Sequence, residues 1–314
     1  MARPFPPAAA FAITGATGFL GSCLAHALHG RGRRVLMLKR STSDTSRIAS
    51  LLPEVPSWDI DVAPVADAFA AHDIGCVVHC ATDYGRRSGS LAAVIEANLL
   101  LPVRLLEAAV AHGVPFFVNV DTLLDGDVNA YALAKRQVRE WLPFFAGSID
   151  VVNVAITTFY GAGDDPGKFV SSLVRQALAG VRRIALTPGE QQRDFIHIDD
   201  VVAAFVTVLD DLGRRRGCDG PEDRSTPVLR YEVGTGRPVS VRDLATMIQR
   251  LSGRSDLQLE FGSLPYRPGE VMRVCADVGP LERLGWAPRI GLEEGLARTL
   301  REESALTPQG GADR

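Results

Sequence analysis

Short apolar runs alternate with stretches in which apolar residues recur every three or four positions, from about residue 11 to residue 209. Phe11-Ala-Ile13 is one such run and ends at a glycine-rich turn, which predicts a buried parallel strand feeding a helix. That helix is predicted over Phe19 to His29, with Leu20, Leu24 and Leu28 on one face and Gly30 to Gly32 stopping it. Further strands are predicted at Arg34–Lys39, Asp59–Val62, Cys76–His79, Phe116–Val120 and Ile149–Ile156. A long helical pattern runs from about Ala92 to His112, and Pro102 is expected to kink it. Strands alternating with helices imply right-handed βαβ units. The predicted class is therefore α/β, a doubly wound parallel sheet covered on both faces.

After Tyr160-Gly-Ala-Gly163 the pattern changes to shorter apolar runs broken by proline and glycine, which predicts a smaller, mixed α/β C-terminal part. The first domain is expected to span residues 1–155 and to be completed by about 197–235, where Val201 to Leu209 reads as a helix. Residues 156–196 and 236–304 would form the second lobe, with an amphipathic helix over Val241–Gln249. Asp211 to Thr226 reads as a polar surface insertion and 305–314 as a flexible tail.

Bulk composition narrows the partners. Of 314 residues, 46% are hydrophobic and 23% charged, with a net charge of −3, which argues against a nucleic-acid binder. Arg214-Arg215-Arg216 is short and followed by Asp219, Glu222 and Asp223, so it reads as a solvated loop. Cysteines 23, 76, 80, 218 and 275 are odd in number and scattered, as in a reduced cytoplasmic protein. The histidines have no metal-ligand spacing. Phe11–Ile13 is too short for a membrane span, and prolines within Met1–Ala10 argue against a signal segment. No metal and no membrane partner are expected.

The turn after the first strand reads Gly15-x-x-Gly18-x-x-Gly21, with Thr17, Phe19 and Leu20 between its glycines. Glycines there allow a tight turn and close approach of backbone N–H groups to a pyrophosphate at a helix N-terminus. The second strand ends in Lys39, Arg40 and Ser41, with no acid before Asp44, which favours NADP(H) over NAD(H). Asp61, beside Ile60, either meets an adenine amino group or caps a turn. Tyr131 and Lys135 stand four apart in Tyr131-Ala-Leu-Ala-Lys135, so they share a helix face. A phenol titrates near 10, and a close ammonium is expected to bring it down into the working range. Together these features predict hydride transfer.

With these residues in place, the chain resembles the extended short-chain dehydrogenase/reductase family in its nucleotide-sugar branch, over nearly all of residues 11–300. The landmarks are Thr14 to Gly21, His79-Cys-Ala81, Asn98, Thr122, Tyr131 with Lys135, Tyr160-Gly161, Arg193 to Asp200, Gly234-Thr-Gly236 and Arg267-Pro-Gly-Glu270. The resemblance implies a Rossmann-like coenzyme domain and a smaller substrate domain. It assigns Thr122, Tyr131 and Lys135 to catalysis and adds Ala81 and Asn98 to the coenzyme site, the latter more as a structural residue. Lys135 would also hold a ribose hydroxyl. Asp83 and Tyr84 would lie near the sugar, Lys168 and Phe169 over the nucleotide base, and Arg193 and Arg267 on the diphosphate. A homodimer through the long helix and the Tyr131 helix is implied as well.

Three departures refine the expectation. Leu123 and Leu124 replace the acid pair that dehydratases carry after Thr, so dehydration is not expected. Only eight residues separate Thr122 from Tyr131, and Ala155 stands where many members have arginine. Asn119–Thr122 and Gly189–Phe195 are similar to CDP-abequose synthase-type 4-ketoreductases. The leading expectation is therefore NADPH-dependent reduction of the C4 keto group of a nucleotide-activated 6-deoxyhexose. The alternative is an NAD-dependent nucleotide-sugar 4-epimerase. A non-catalytic dinucleotide sensor is disfavoured because Thr122, Tyr131 and Lys135 are all kept.

Overall fold

The computed structural model describes residues 9–86, 89–215 and 228–306. The prolines before Ala9, Arg216, Cys218, Asp219, Glu222, Asp223 and residues 307–314 lie outside the described residues. Strands in chain order are β1 (Ala10–Thr14), β2 (Val35–Lys39), β3 (Ser57–Asp59), β4 (Ile74–His79), β5 (Phe116–Thr122), β6 (Asp150–Ile156), β7 (Thr158–Tyr160), β8 (Arg183–Leu186), β9 (Gln192–Arg193), β10 (Phe195–His197), β11 (Val228–Val233), β12 (Val239–Ser240) and β13 (Gln258–Phe261). Helices are α1 (Phe19–His29), α2 (Val65–Ala71), α3 (Leu91–Ile95), α4 (Leu101–Ala111), α5 (Ala130–Phe145), α6 (Phe169–Leu178), α7 (Ile198–Arg215), α8 (Val241–Leu251), α9 (Gly279–Glu282) and α10 (Leu292–Leu306).

The chain divides into two units. The first comprises Met1–Ile156, Val202–Val233 and Asp277–Trp286. Its sheet runs β11-β6-β5-β4-β1-β2-β3, every pair parallel. This is the Rossmann-like doubly wound order, in which the winding reverses between β1 and β4. Continuous apolar runs make the central strands: β1 and β4 are buried along their whole length, as strands covered on both faces must be. Ala12, Leu36, Val77, Leu105, Leu106, Phe117, Val138 and Val151 belong to one core cluster between sheet and helices.

The second unit comprises Thr157–Val201, Gly234–Ala276 and Ala287–Arg314. Three short two-stranded sheets, β10-β7, β12-β9 and β13-β8, accompany helices α6, α8 and α10. Tyr160, Leu173, Val174, Leu244, Ile248, Leu296 and Leu300 form its core. Among the described residues no helix is long and apolar enough to cross a membrane.

Several element boundaries differ from those predicted. The third strand is Ser57–Asp59 rather than Asp59–Val62, because Val62 and Ala63 both donate their N–H back to Asp59 O and curl the chain out of the sheet. The long helical pattern is broken by a π-helical stretch, Glu96–Leu100, where Leu101 N–H reaches back to Glu96 O. Pro102 has no N–H to give and sits in the first turn of α4, so it restarts a helix rather than kinking one. Asp211 to Arg215, expected in a surface loop, continue α7, with Asp211 paired to Arg214 and Arg215 at helical spacing. Helix α10 runs to Leu306, past the start of the expected tail.

Candidate active site

The turn between β1 and α1 is built by contacts that only glycine permits. Gly15 has φ +64°, and a Cβ there would lie 2.7 Å from the backbone of Ala81, at the end of β4. A Cβ on Gly21 would meet Gly15 O at 2.2 Å, so the first turn of α1 packs directly on the loop. Gly18 caps α1 with no side-chain hydrogen bond and donates its own N–H to Gly15 O at 2.8 Å. Phe19 and Leu20 follow as the first residues of α1, and Arg47 donates to Thr17 O at 3.5 Å. The helix N-terminus opens where the winding of the sheet reverses, as a dinucleotide pyrophosphate requires.

The end of β2 is not as the sequence suggested. Lys39 lies opposite Asp59 in the β2–β3 register, and its ammonium is ion-paired to that carboxylate. Ser41 gives both its N–H (2.7 Å) and its hydroxyl (2.8 Å) to Asp61, whose carboxyl these bonds hold below the usual carboxylate range. Asp61 thus caps the turn after β2, and Ile60 N–H extends the ladder to Lys39 O. Arg40 is exposed. The basic strand end is answered by two acids from the neighbouring strand and turn, a pairing that strand register reveals and linear sequence does not.

Helix α5 carries Tyr131 and Lys135, and both side chains are buried. Its N-cap is Asn129, whose side chain accepts from Ala132 N–H at 2.9 Å. Lys135 Nζ donates to Val120 O at 2.8 Å, two residues before Thr122 at the end of β5. Burial brings the Lys135 ammonium down to about 8, opposed by Asp121 and Cys80. The Tyr131 phenol is pushed well above its ordinary value, first by burial and then by Tyr84 and Asp121, while hydrogen bonding with Thr122 and Thr82 pulls the other way. The expected lowering by Lys135 is not what this state shows: the ammonium is committed to a carbonyl, and Tyr131 holds its proton. The Tyr84 ring lies over it, 4.7 Å between centroids.

Asn98, in the π-helical stretch, is fully buried and shapes the loop after β4. Its Oδ1 accepts from Thr82 Oγ1 (2.7 Å) and Asp83 N–H (3.2 Å), and its Nδ2 donates to Asp83 O (2.7 Å) and Val94 O (2.9 Å). The widened helical turn delivers the amide to that loop. Asp83 Oδ1 accepts from Gly85 N–H at 2.7 Å and so closes its own turn.

In the second unit, Lys168 caps the start of α6, pairs with Asp164 at 3.0 Å and lies 4.1 Å from the centre of the Phe159 ring; Phe169 follows it. Arg193 is held by the Glu270 carboxylate and also donates to Gln192 O at 2.8 Å. Glu270 donates its N–H to Arg267 O, so one turn joins the exposed Arg267 to the partner of Arg193. Asp194, fully buried beside Arg193, accepts from Thr235, Gly236 and Ala276 and ties β9 to the Gly234-Thr-Gly236 turn.

Sequence reasoning passed over Asp59, Thr82, Asp121 and Arg139. Only Arg139 left a linear signal, since it repeats the spacing of Tyr131 and Lys135 once more along α5.

Comparison with known proteins agrees with this architecture. CDP-abequose synthase of Salmonella typhimurium is 29% identical over 300 residues, covering 92% of this chain and 96% of the relative. UDP-glucose 4-epimerase of Mycolicibacterium smegmatis is 28% identical over 317 residues, with the same coverage. MoeE5, solved with NAD and either UDP-glucose or UDP-glucuronic acid, matches 95% of this chain and 99% of its own, at 27% identity and a TM-score of 0.77. These findings overturn the expectation of NADP(H) and, with it, of a net NADPH-dependent 4-ketoreductase: the coenzyme in MoeE5 is NAD, and 4-epimerases recur among the relatives. The physical reason lies at the end of β2, where Asp59 neutralises the lysine that a 2′-phosphate would use. Residues 11–217 match the model of the NAD dependent epimerase/dehydratase family, and the chain belongs to that family.

Proposed function

We propose that this protein is an NAD-dependent 4-epimerase of a nucleotide-diphosphate sugar. The observation that carries the reading is the pairing of Lys39 with Asp59 in a chain that keeps Thr122, Tyr131 and Lys135 together, all buried. An epimerase retains its coenzyme and has no need to distinguish NADPH from NADH. When bound, the nicotinamide supplies a hydride acceptor that becomes the donor in the second half of the reaction. Gly15, Thr17, Gly18, Phe19 and Leu20 would hold the pyrophosphate, the Ser41–Asp61 turn the adenosine end, and Lys135 the ribose.

Once ionised to the phenolate, Tyr131 takes the proton of the sugar C4 hydroxyl as the C4–H bond breaks, and returns it once the keto sugar presents its other face. Thr122 donates a hydrogen bond to the same oxygen, and Lys135 steadies the phenolate while it exists. Burial keeps the phenol protonated in the free protein; under the positive charge of a bound oxidised nicotinamide, added to that of Lys135, Tyr131 would release this proton to solvent before the sugar is oxidised. Tyr84, in tilted contact with the Tyr131 ring, and Asp83 would border the sugar. Lys168 with Phe169, and Arg193 with Arg267, would take the base and the diphosphate.

Incubation with NAD and UDP-glucose or UDP-galactose, followed by chromatography of the products, tests the reading. Interconversion without net change in nicotinamide absorbance is expected. Tyr131→Phe should lower kcat by about three orders of magnitude with NADH binding near normal. Stoichiometric reduction of NAD without interconversion would overturn the assignment.

The assembly belongs to the same reading. Helices α3 and α5 pack together and expose Leu91 (68%), Trp141 (48%) and Phe144 (78%), an apolar face suited to a second copy of this chain.

A further inference from the structure

Arg139 falls four residues after Lys135 and eight after Tyr131, so the three side chains line one face of α5. Its Nε lies 3.2 Å from Asp121 Oδ2; that carboxylate has no exposed surface, and the Arg139 side chain is 23% exposed. Asp121 immediately precedes Thr122 on β5, and its Oδ1 accepts the Thr122 N–H at 2.8 Å. Oδ2 also accepts from Asn153 Nδ2 on β6 at 2.8 Å, while Asn153 Oδ1 accepts from Asn119 Nδ2 at 2.7 Å. One buried anion is thus held from its own strand, the next strand and the helix that carries the acid/base pair. A carboxylate without water is sustained only by such donors.

The groups around Lys135 make this anion distinctive. His79 at the end of β4 and Cys80 just after it face it, Tyr131 shares its helix face with the tilted Tyr84 ring against it, and Asp121 faces it from β5. Burial keeps His79 uncharged, raises the Cys80 thiol to about 12 and leaves Tyr131 protonated. Asp121 is therefore the one negative charge of this set, and Arg139 is ion-paired to it.

We propose that Asp121, clamped by Arg139, is the positioning residue of this site, setting the Tyr131–Lys135 face of α5 against Thr122 and supplying the anion that the Lys135 ammonium faces. Its test rests on the reading that Lys135 holds the coenzyme ribose. Asp121→Asn removes the charge while keeping the shape. Asn119 Oδ1 is buried without a partner, so Asn153 and Asn119 can turn over, letting the new amide donate to Asn153 and Asn153 donate to Asn119. The amide network then exchanges one unpaired group for another, while Arg139, whose side chain is 23% exposed, loses its acceptor and turns to solvent.

The experiment is a fluorescence titration with NADH across the neutral and alkaline range, on wild type, Asp121→Asn and Arg139→Gln. Wild type should lose affinity as pH rises through about 8, where Lys135 gives up its proton. Asp121→Asn should move that limb to lower pH by about one unit, and Arg139→Gln, which removes a cation, should move it upward. A purely structural role would weaken binding equally at every pH, and a limb left in place by Asp121→Asn would overturn the proposal. Wild-type affinity without an alkaline limb would instead sink the assignment of Lys135 to the ribose, and this proposal with it.

Discussion

Lys39 carries the charge that a 2′-phosphate would seek, and Asp59 already holds it. The ion pair has a half-buried character, with the Lys39 side chain 11% exposed, so its partner matters more than at an open surface. Asp59→Asn should free the ammonium and raise NADPH affinity relative to NADH by about tenfold, or about 1.4 kcal/mol. Parallel fluorescence titrations with the two coenzymes read that ratio, and an unchanged ratio would remove Lys39 from the question. Both residues were visible in the chain, but what joined them was the alignment of β2 with β3, and that strand had been predicted two residues late. The Tyr131–Lys135 spacing, by contrast, was legible because helical geometry alone puts the pair on one face. The state of the phenol was not legible, since burial and the nearby Asp121 outweigh a lysine that turns to Val120 O.

At the level of elements, punctuation by glycine was the most readable signal. Helix α1 begins and ends at the residues predicted, between Gly18 and Gly30. The π-helical stretch left no comparable mark, because its apolar spacing is nearly that of an α-helix and only the Pro102 that follows hints at a break. A similar hidden constraint holds helix α10. A Cβ on Gly295 would sit 2.3 Å from Tyr160 Oη, at the centre of the second unit's core. Gly295→Ala should therefore destabilise by about 1–3 kcal/mol despite the better helix propensity of alanine. Tyr160→Phe in the same chain removes the clashing oxygen and should restore much of the loss, read as the midpoint of urea unfolding in a double-mutant cycle. If Gly295→Ala proves neutral or stabilising, the packing of α10 on Tyr160 is looser than described.

For the whole molecule, alternation of apolar runs and helical patterns was enough to predict a parallel α/β sheet, and the seven-stranded order bears that out. Assembly is a different matter, since a surface becomes an interface only in the presence of its partner. The Trp141 and Phe144 rings meet at a tilt, 5.4 Å between centroids, and both remain exposed. Phe144→Asp would place a carboxylate in the proposed homodimer contact and should weaken it by about 2 kcal/mol or more. Sedimentation over a range of concentrations measures this; a wild-type protein that is monomeric throughout would remove the contact.

The acid that silences Lys39 belongs to a different strand from the lysine itself, so the two can change independently over time. An aspartate codon becomes an asparagine codon by one base substitution. A descendant of this protein could therefore acquire a phosphate-seeking cation without altering β2, its glycine turn or its acid/base pair. In such a lineage, coenzyme choice would drift at an edge strand while the chemistry at the centre of the sheet stayed the same.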